Sequence, residues 1–179
     1  WGSNSYGQLG NGAVSDIPIP TAINGGGIWK MVGLGQAYSC AIKNDDTAHC
    51  WGVHSFGQLG NGTATWGLVP TAVSGGGTWK VVDPGTQHSC GIKSDNTAYC
   101  WGWNTNGQVG DNSTTQRFVP TAVSGGGTWK AVTAGNSQSC GIKSDDTLWC
   151  WGANGNGQVG DNSTTQRLVP TAVSGGGTW

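Results

Sequence analysis

The chain repeats one unit of fifty residues about three and a half times and never slips by a residue. Trp-Gly recurs at 1, 51, 101 and 151, and Gly-Gln-Leu/Val-Gly at 7–10, 57–60, 107–110 and 157–160. Pro-Thr-Ala recurs at 20–22, 70–72, 120–122 and 170–172, and Gly-Gly-Gly-x-Trp at 25–29, 75–79, 125–129 and 175–179. A constant period of this length marks a solenoid, a propeller or a similar array, whose units bury their apolar faces only against their neighbours. The 34 glycines would by themselves point to disorder. The eleven tryptophans, most of them at two fixed repeat positions, point instead to fixed packing sites.

Within one unit, the β-branched alternation over 78–82 predicts a strand, and 88–93 and 97–102 predict a second and a third. A fourth short strand is predicted over 117–123, where Pro120 suits a sheet edge because no ladder donor is needed there. Gly- and Asn-rich residues 104–111 and the triple glycine at 125–127 read as loops. Four short antiparallel strands per unit make a propeller blade. No segment carries helical periodicity, and a β-helix would have shorter coils without this hairpin pattern.

The expected fold is therefore all-β, built of β-propeller blades of four antiparallel strands. Residues 1–179 read as a single array, with a partial blade at 1–29 and whole blades at 30–79, 80–129 and 130–179. Both ends fall inside a unit, which points to a piece of a longer propeller or to an open arc. Unpaired strand ends would favour self-association.

The six cysteines form three pairs, each spaced Cys-x9-Cys. A hairpin centred on Asp45, Asp95 or Asp145 sets Ile42 opposite Ala48 and Ile92 opposite Ala98. The same register sets Cys40 opposite Cys50, Cys90 opposite Cys100 and Cys140 opposite Cys150. A three-residue hairpin loop needs a left-handed residue at its third position, and Asp46, Asn96 and Asp146 supply it. Directly opposed residues are near disulfide distance, so three bridges within blades are expected. They imply an oxidising setting: extracellular, periplasmic or cell-surface. The alternatives are buried free thiols, or zinc, for which the spacing is wrong and no histidine recurs in phase.

His-Ser-Cys-Gly-Ile-Lys-Ser-Asp-Asn-Thr-Ala-Tyr-Cys-Trp-Gly at 88–102, followed by Asn104 and Gly-Gln-Val-Gly at 107–110, resembles the regulator of chromosome condensation repeat. The resemblance covers essentially the whole chain. It implies a seven-bladed propeller with units of about fifty residues. The paired cysteines resemble those of secreted bacterial members, where Cys replaces a leucine and the residue before Trp-Gly. The family's eukaryotic founder is an exchange factor for the Ran GTPase and binds chromatin. Exchange there uses an inserted β-wedge and chromatin contact uses basic tails; neither appears between these repeats, so only the scaffold and a binding role are implied.

Charge is sparse at 9%, the net charge is −1, and no basic stripe exists, so no nucleic-acid partner is expected. No run of 18 apolar residues exists, so no membrane span is expected. Gly155-x-Gly157-x-x-Gly160 matches a dinucleotide fingerprint only by coincidence, because no strand–helix unit surrounds it. The aspartates at the hairpin tips repeat with the turn, which explains them without catalysis. His49, His54 and His88 stand at three different repeat positions and read as surface or strand residues. No enzyme activity, cofactor or metal is expected. Asn61, Asn112 and Asn162 open glycosylation sequons in one loop.

The more informative signal is variation between the repeats. It concentrates at 3–6, 53–56, 103–106 and 153–156, at 13–18 and 63–68, and at 36–38, 86–88 and 136–138. Binding residues usually sit on such loops, held by a rigid scaffold. Tyr6, Phe56, Trp66 and Trp103 are aromatics at those positions and are the candidate binding residues. The chain thus reads as a non-enzymatic extracellular or surface scaffold that binds a macromolecular partner. A protein partner is suggested because a propeller-type β-lactamase inhibitor resembles this architecture. The alternatives are a lectin-like propeller that binds glycans, and a structural module of an adhesin or filament.

Overall fold

The computed structural model describes residues 1–179. It contains twelve strands and no helix, hence no helix long and apolar enough to cross a membrane. The strands form three four-stranded sheets. The first holds β1 (Trp29–Leu34), β2 (Tyr38–Lys43), β3 (Ala48–Gly52) and β4 (Gly67–Ala72). The second holds β5 (Trp79–Pro84), β6 (His88–Lys93), β7 (Ala98–Gly102) and β8 (Arg117–Ala122). The third holds β9 (Trp129–Ala134), β10 (Gln138–Lys143), β11 (Leu148–Gly152) and β12 (Arg167–Ala172). Each sheet is a simple antiparallel meander, and Pro70, Pro120 and Pro170 lie on its edge strand. Residues 1–28 add loops and a lone bridge between Gly2 and Ile17.

Turn chemistry sets the register. Asp46, Asn96 and Asp146 have φ of 68°, 68° and 67°, the left-handed region that a short polar side chain tolerates. The preceding Asp95 Oδ1 accepts the Thr97 N–H at 3.0 Å and the Thr97 hydroxyl at 2.5 Å, and the other two tips repeat this. The resulting pairing sets Ile92 opposite Ala98 and Cys90 opposite Cys100. All three cysteine pairs are bridged, with Cα separations of 4.1, 4.1 and 4.0 Å, and no free thiol remains.

The sheets are stacked side by side like blades, β5 against β2 and β9 against β6. The core lies between them. Cys40, Ile42, Ala48 and Cys50 of the first sheet pack on Trp79, Val82 and Trp101 of the second. Cys90, Ile92, Ala98 and Cys100 pack in the same way on Trp129, Val132 and Trp151 of the third. Val32, which lacks such a neighbour, is 63% exposed, whereas its equivalent Val82 is fully buried. This strand position is therefore buried only where the preceding repeat's cysteine face stands against it, so each blade completes its core with a neighbour.

A polar clasp fixes each junction. The Gln58 carbonyl accepts the Trp101 indole N–H at 2.9 Å and the Ser89 hydroxyl at 2.8 Å. Gln8 does the same for Trp51 and Ser39, and Gln108 for Trp151 and Ser139. Two residues on, Gly60 lies beneath the Trp101 ring. A Cβ there would sit 2.6 Å from Nε1, and the backbone is left-handed at φ 66°.

Two stability outcomes follow from this packing. Replacing Cys90 and Cys100 together by Ala is expected to cost at least about 2–3 kcal/mol in chemical denaturation, from the lost closure of a ten-residue loop; an unchanged midpoint would contradict the bridge's role. Gly60→Ala is expected to cost about 2–4 kcal/mol, since it combines a strained backbone with overpacking under Trp101. Gly160→Ala, with no indole above it, should cost visibly less, and equal losses for the two variants would refute the packing argument.

Candidate functional site

Because each sheet alternates strictly, the β1–β2 turns and the long β3–β4 loops leave the same end of every blade. The hairpin tips and the triple-glycine connections occupy the opposite end. On the loop face a cleft of about 520 Å³ opens between the first loop, near Tyr6, and the first two blades. Tyr6, Phe56 and Trp66 supply its rings, Gln36 comes from the β1–β2 turn, and Thr86 and Gln87 come from the equivalent β5–β6 turn. Gln8, Gln58, Ser3 and Ser55 add amides and hydroxyls, and none of the twelve lining residues is charged.

The aromatics are ordered by mutual packing. The Tyr6 and Trp66 rings meet edge to face at 5.4 Å, and Phe56 and Trp103 meet similarly at 4.5 Å. Tyr6 remains 42% exposed and Trp66 50%. Three of the four candidate aromatics therefore line one cleft, while Trp103 sits behind Phe56, outside the lining.

Glutamine side chains hold the loops that carry these rings. The Gln58 Oε1 accepts the Phe56 N–H at 2.9 Å, and the Gln8 Oε1 accepts the Tyr6 N–H at 3.0 Å. Gln58 is 1% exposed and so rigid that the loop above it has little freedom. Sequence reasoning passed over both glutamines as scaffold, because they recur unchanged. Gln36, Thr86 and Gln87 were flagged only as members of variable stretches.

Of the variable stretches at 36–38 and 86–88 only the first two positions are loop; His88 opens the strand expected over 88–93. Tyr38 and His88 begin β2 and β6 and are buried between blades. The Tyr38 hydroxyl reaches the His88 carbonyl at 2.7 Å and Ser89 Oγ at 2.9 Å. The His88 Nε2 pairs with Ser139 Oγ at 2.8 Å; because that hydroxyl donates to the Gln108 carbonyl, Nε2–H is the donor. Nδ1 is left without a partner. Burial holds the His88 imidazole down to about 4, so it is neutral at physiological pH.

His54, unlike His88, departs from the surface-or-strand expectation. It is a buried loop residue standing where Asn4, Asn104 and Asn154 stand in the other repeats. Its Nδ1 accepts the Leu59 N–H at 3.0 Å, as the Asn104 Oδ1 accepts the Val109 N–H at 2.8 Å. Burial lowers its pKa as well.

Where the long loops carry charge, between β7 and β8 and between β11 and β12, the charge is internally matched. Asp111 and Asp161 accept Arg117 Nε and Arg167 Nε at 2.6 and 2.5 Å. Desolvation works to raise Asp161, but its bonds from Arg167, Ser163 and Asn154 outweigh this and hold it near 2.

A sequence profile of the regulator of chromosome condensation (RCC1) repeat matches residues 1–42, 95–142 and 145–178. A second profile of the same repeat matches 129–158. The chain belongs to the RCC1 repeat family. Among solved structures, yeast RCC1 (Prp20) bound by Kap60 superposes with a TM-score of 0.81 at 22% identity, covering 98% of this chain and 44% of that one. Human WBSCR16 gives 0.78 at 21% identity, covering 96% and 46%. Prp20p from Saccharomyces cerevisiae, described with its binding to Gsp1p and histones, gives 0.73 at 20% identity, covering 82% and 38%. At these identities the likeness is one of fold, and the chain spans less than half the length of each of these structures. No curated protein sequence matches the chain.

The RCC1 blade junction generates a pH outcome. Unfolded His88 takes up a proton near its ordinary value of 6.5, whereas the folded form resists until about 4. Stability is therefore whole above pH 6.5, falls as pH drops through this window, and stops falling from this source below about 4. His88→Gln installs the residue that Gln138 already supplies in the next repeat. It should flatten the slope of unfolding free energy against pH in that window by about one proton, measured by urea denaturation at stepped pH. An unchanged slope would show that His88 does not carry the effect.

Proposed function

We propose that this RCC1-repeat array is a non-enzymatic extracellular or cell-surface scaffold that binds a macromolecular partner through its loop face. The observation that carries the reading is the uncharged aromatic cleft at Tyr6, Phe56 and Trp66, which opens where the repeats differ and stands on blades clasped by invariant residues. Half-exposed aromatics on a rigid base make efficient anchors, since little side-chain freedom remains to be lost on binding. The fold fits the role: the Prp20 structures are described with bound or binding proteins, namely Kap60, Gsp1p and histones. Three disulfides, two of them fully buried, support an oxidising location. The hairpin-tip aspartates and Asp111 and Asp161 are engaged in turns and ion pairs, which supports binding rather than catalysis.

The reading is tested with a photo-crosslinking amino acid placed singly at Ser55, exposed on the loop face, or at Ser94, exposed on a hairpin tip of the opposite face. In the native secreted or surface fraction, Ser55 is expected to give a discrete adduct and Ser94 none. Adducts from Ser94 alone, equal adducts from both, or none from either would overturn the loop-face assignment.

A further inference from the structure

The chemistry of the cleft narrows the class of ligand. No lysine, arginine, aspartate or glutamate lines it, so a charged ligand would lose its hydration and find no counter-charge. A purely apolar ligand would strip water from glutamine amides and hydroxyls without replacing their hydrogen bonds. Gln58 is the sharpest case. It is 1% exposed and lines the cleft, and its Oε1 is committed to the Phe56 N–H, which leaves the amide NH2 for an incoming acceptor.

A ligand that suits both halves of this surface is neutral, rich in groups that donate and accept at once, and flat enough to lie on aromatic rings. A sugar meets all three requirements. Amide side chains match vicinal hydroxyls because each offers a donor and an acceptor. The C–H face of a pyranose packs on an exposed indole or phenol ring. A volume of about 520 Å³ lies in the range of small-ligand clefts and suits a short oligosaccharide.

The platform is also particular to one junction. At the next one, Trp103 stands in place of Val53 and packs on Phe56, and Gln116 stands in place of Trp66. A surface needed only for blade packing would have kept the repeat's pattern; this one breaks it where rings and amides converge.

We propose that the cleft binds a neutral oligosaccharide, whose rings lie on Trp66 and Tyr6 and whose hydroxyls are bonded by Gln58, Gln36, Thr86 and Gln87. The proposal rests on the loop-face reading above and specifies its ligand.

The test is a neutral-glycan array followed by calorimetric titration of the full chain with the best neutral trisaccharide, with trigalacturonate as the charged comparison. Saturable binding of a neutral glycan is expected, nearly unchanged when salt is raised about tenfold because no charge is paired. Trp66→Ala should weaken it at least about tenfold and Gln87→Ala at least about threefold. Circular dichroism of each variant should match the parent. Absence of any neutral-glycan binding, full retention in Trp66→Ala with Gln87→Ala, or preference for the charged trisaccharide would overturn the proposal. A Ser55 protein adduct in a chain that binds no neutral glycan would refute the sugar while leaving the loop-face reading intact. Absence of both glycan binding and a Ser55 adduct in the parent chain would refute both.

Discussion

One backbone carbonyl per repeat, that of Gln8, Gln58 or Gln108, receives both the indole N–H and the serine hydroxyl of the following blade. Burying an indole of this size is strongly favourable, but its N–H must find an acceptor or the gain is offset by an unsatisfied donor. The acceptor is supplied by a different repeat, so the tryptophan cannot be satisfied within its own blade. The glycine two residues later clears the space above the ring, and only glycine fits there on both conformational and steric grounds. Trp-Gly, Gly-Gln-x-Gly and Ser-Cys are thus parts of one junction, which explains why they recur together.

The disulfides act at the same junction. They lie at the centre of each blade face, and their sulfurs form the surface on which the next blade's tryptophans pack. With so few charges and so many glycines, the unfolded chain has much entropy to lose and little electrostatic help to offset it. Closing a short hairpin covalently trims the unfolded ensemble and presents a dry, polarizable face for ring packing. Cation–π contacts from Lys43, Lys93 and Lys143 onto Trp29, Trp79 and Trp129 cover the outer edge of that packing.

The blade pattern and the cysteine register were legible because two independent constraints coincide. The hairpin tip needs a left-handed Asp or Asn, and the cysteines must stand opposite each other; one register satisfies both at three sites. The clasp was not legible, since its acceptor is a main-chain oxygen and leaves no side-chain signature. Tyr38 and His88 misled for another reason. Their partners lie a full repeat away, so a change at a blade junction resembles drift in a surface loop. Three of the four aromatic candidates do meet in one cleft, but the glutamines beneath them were hidden by their own constancy.

The loop that carries Trp66 shows how a repeat makes room for a site. In the last two repeats, position eleven is Asp and position seventeen is Arg, and each carboxylate is about 5% exposed or less, so it requires its partner. In the second repeat the same positions are Asn61 and Gly67. The ion pair is absent as a unit, as it must be, because half of it would leave a buried charge uncompensated. Asn61 still accepts the Thr63 N–H and hydroxyl, so the turn survives without the arginine. At the preceding position, where the later repeats carry Gln116 and Gln166, Trp66 packs on Tyr6 of the neighbouring repeat. The exchange of a charged latch for an aromatic one leaves the junction closed and the surface above it neutral. The first repeat also lacks the pair, with Asn11 and Ile17, yet carries Asp16 where the second carries Trp66, so loss of the latch permits the aromatic without dictating it.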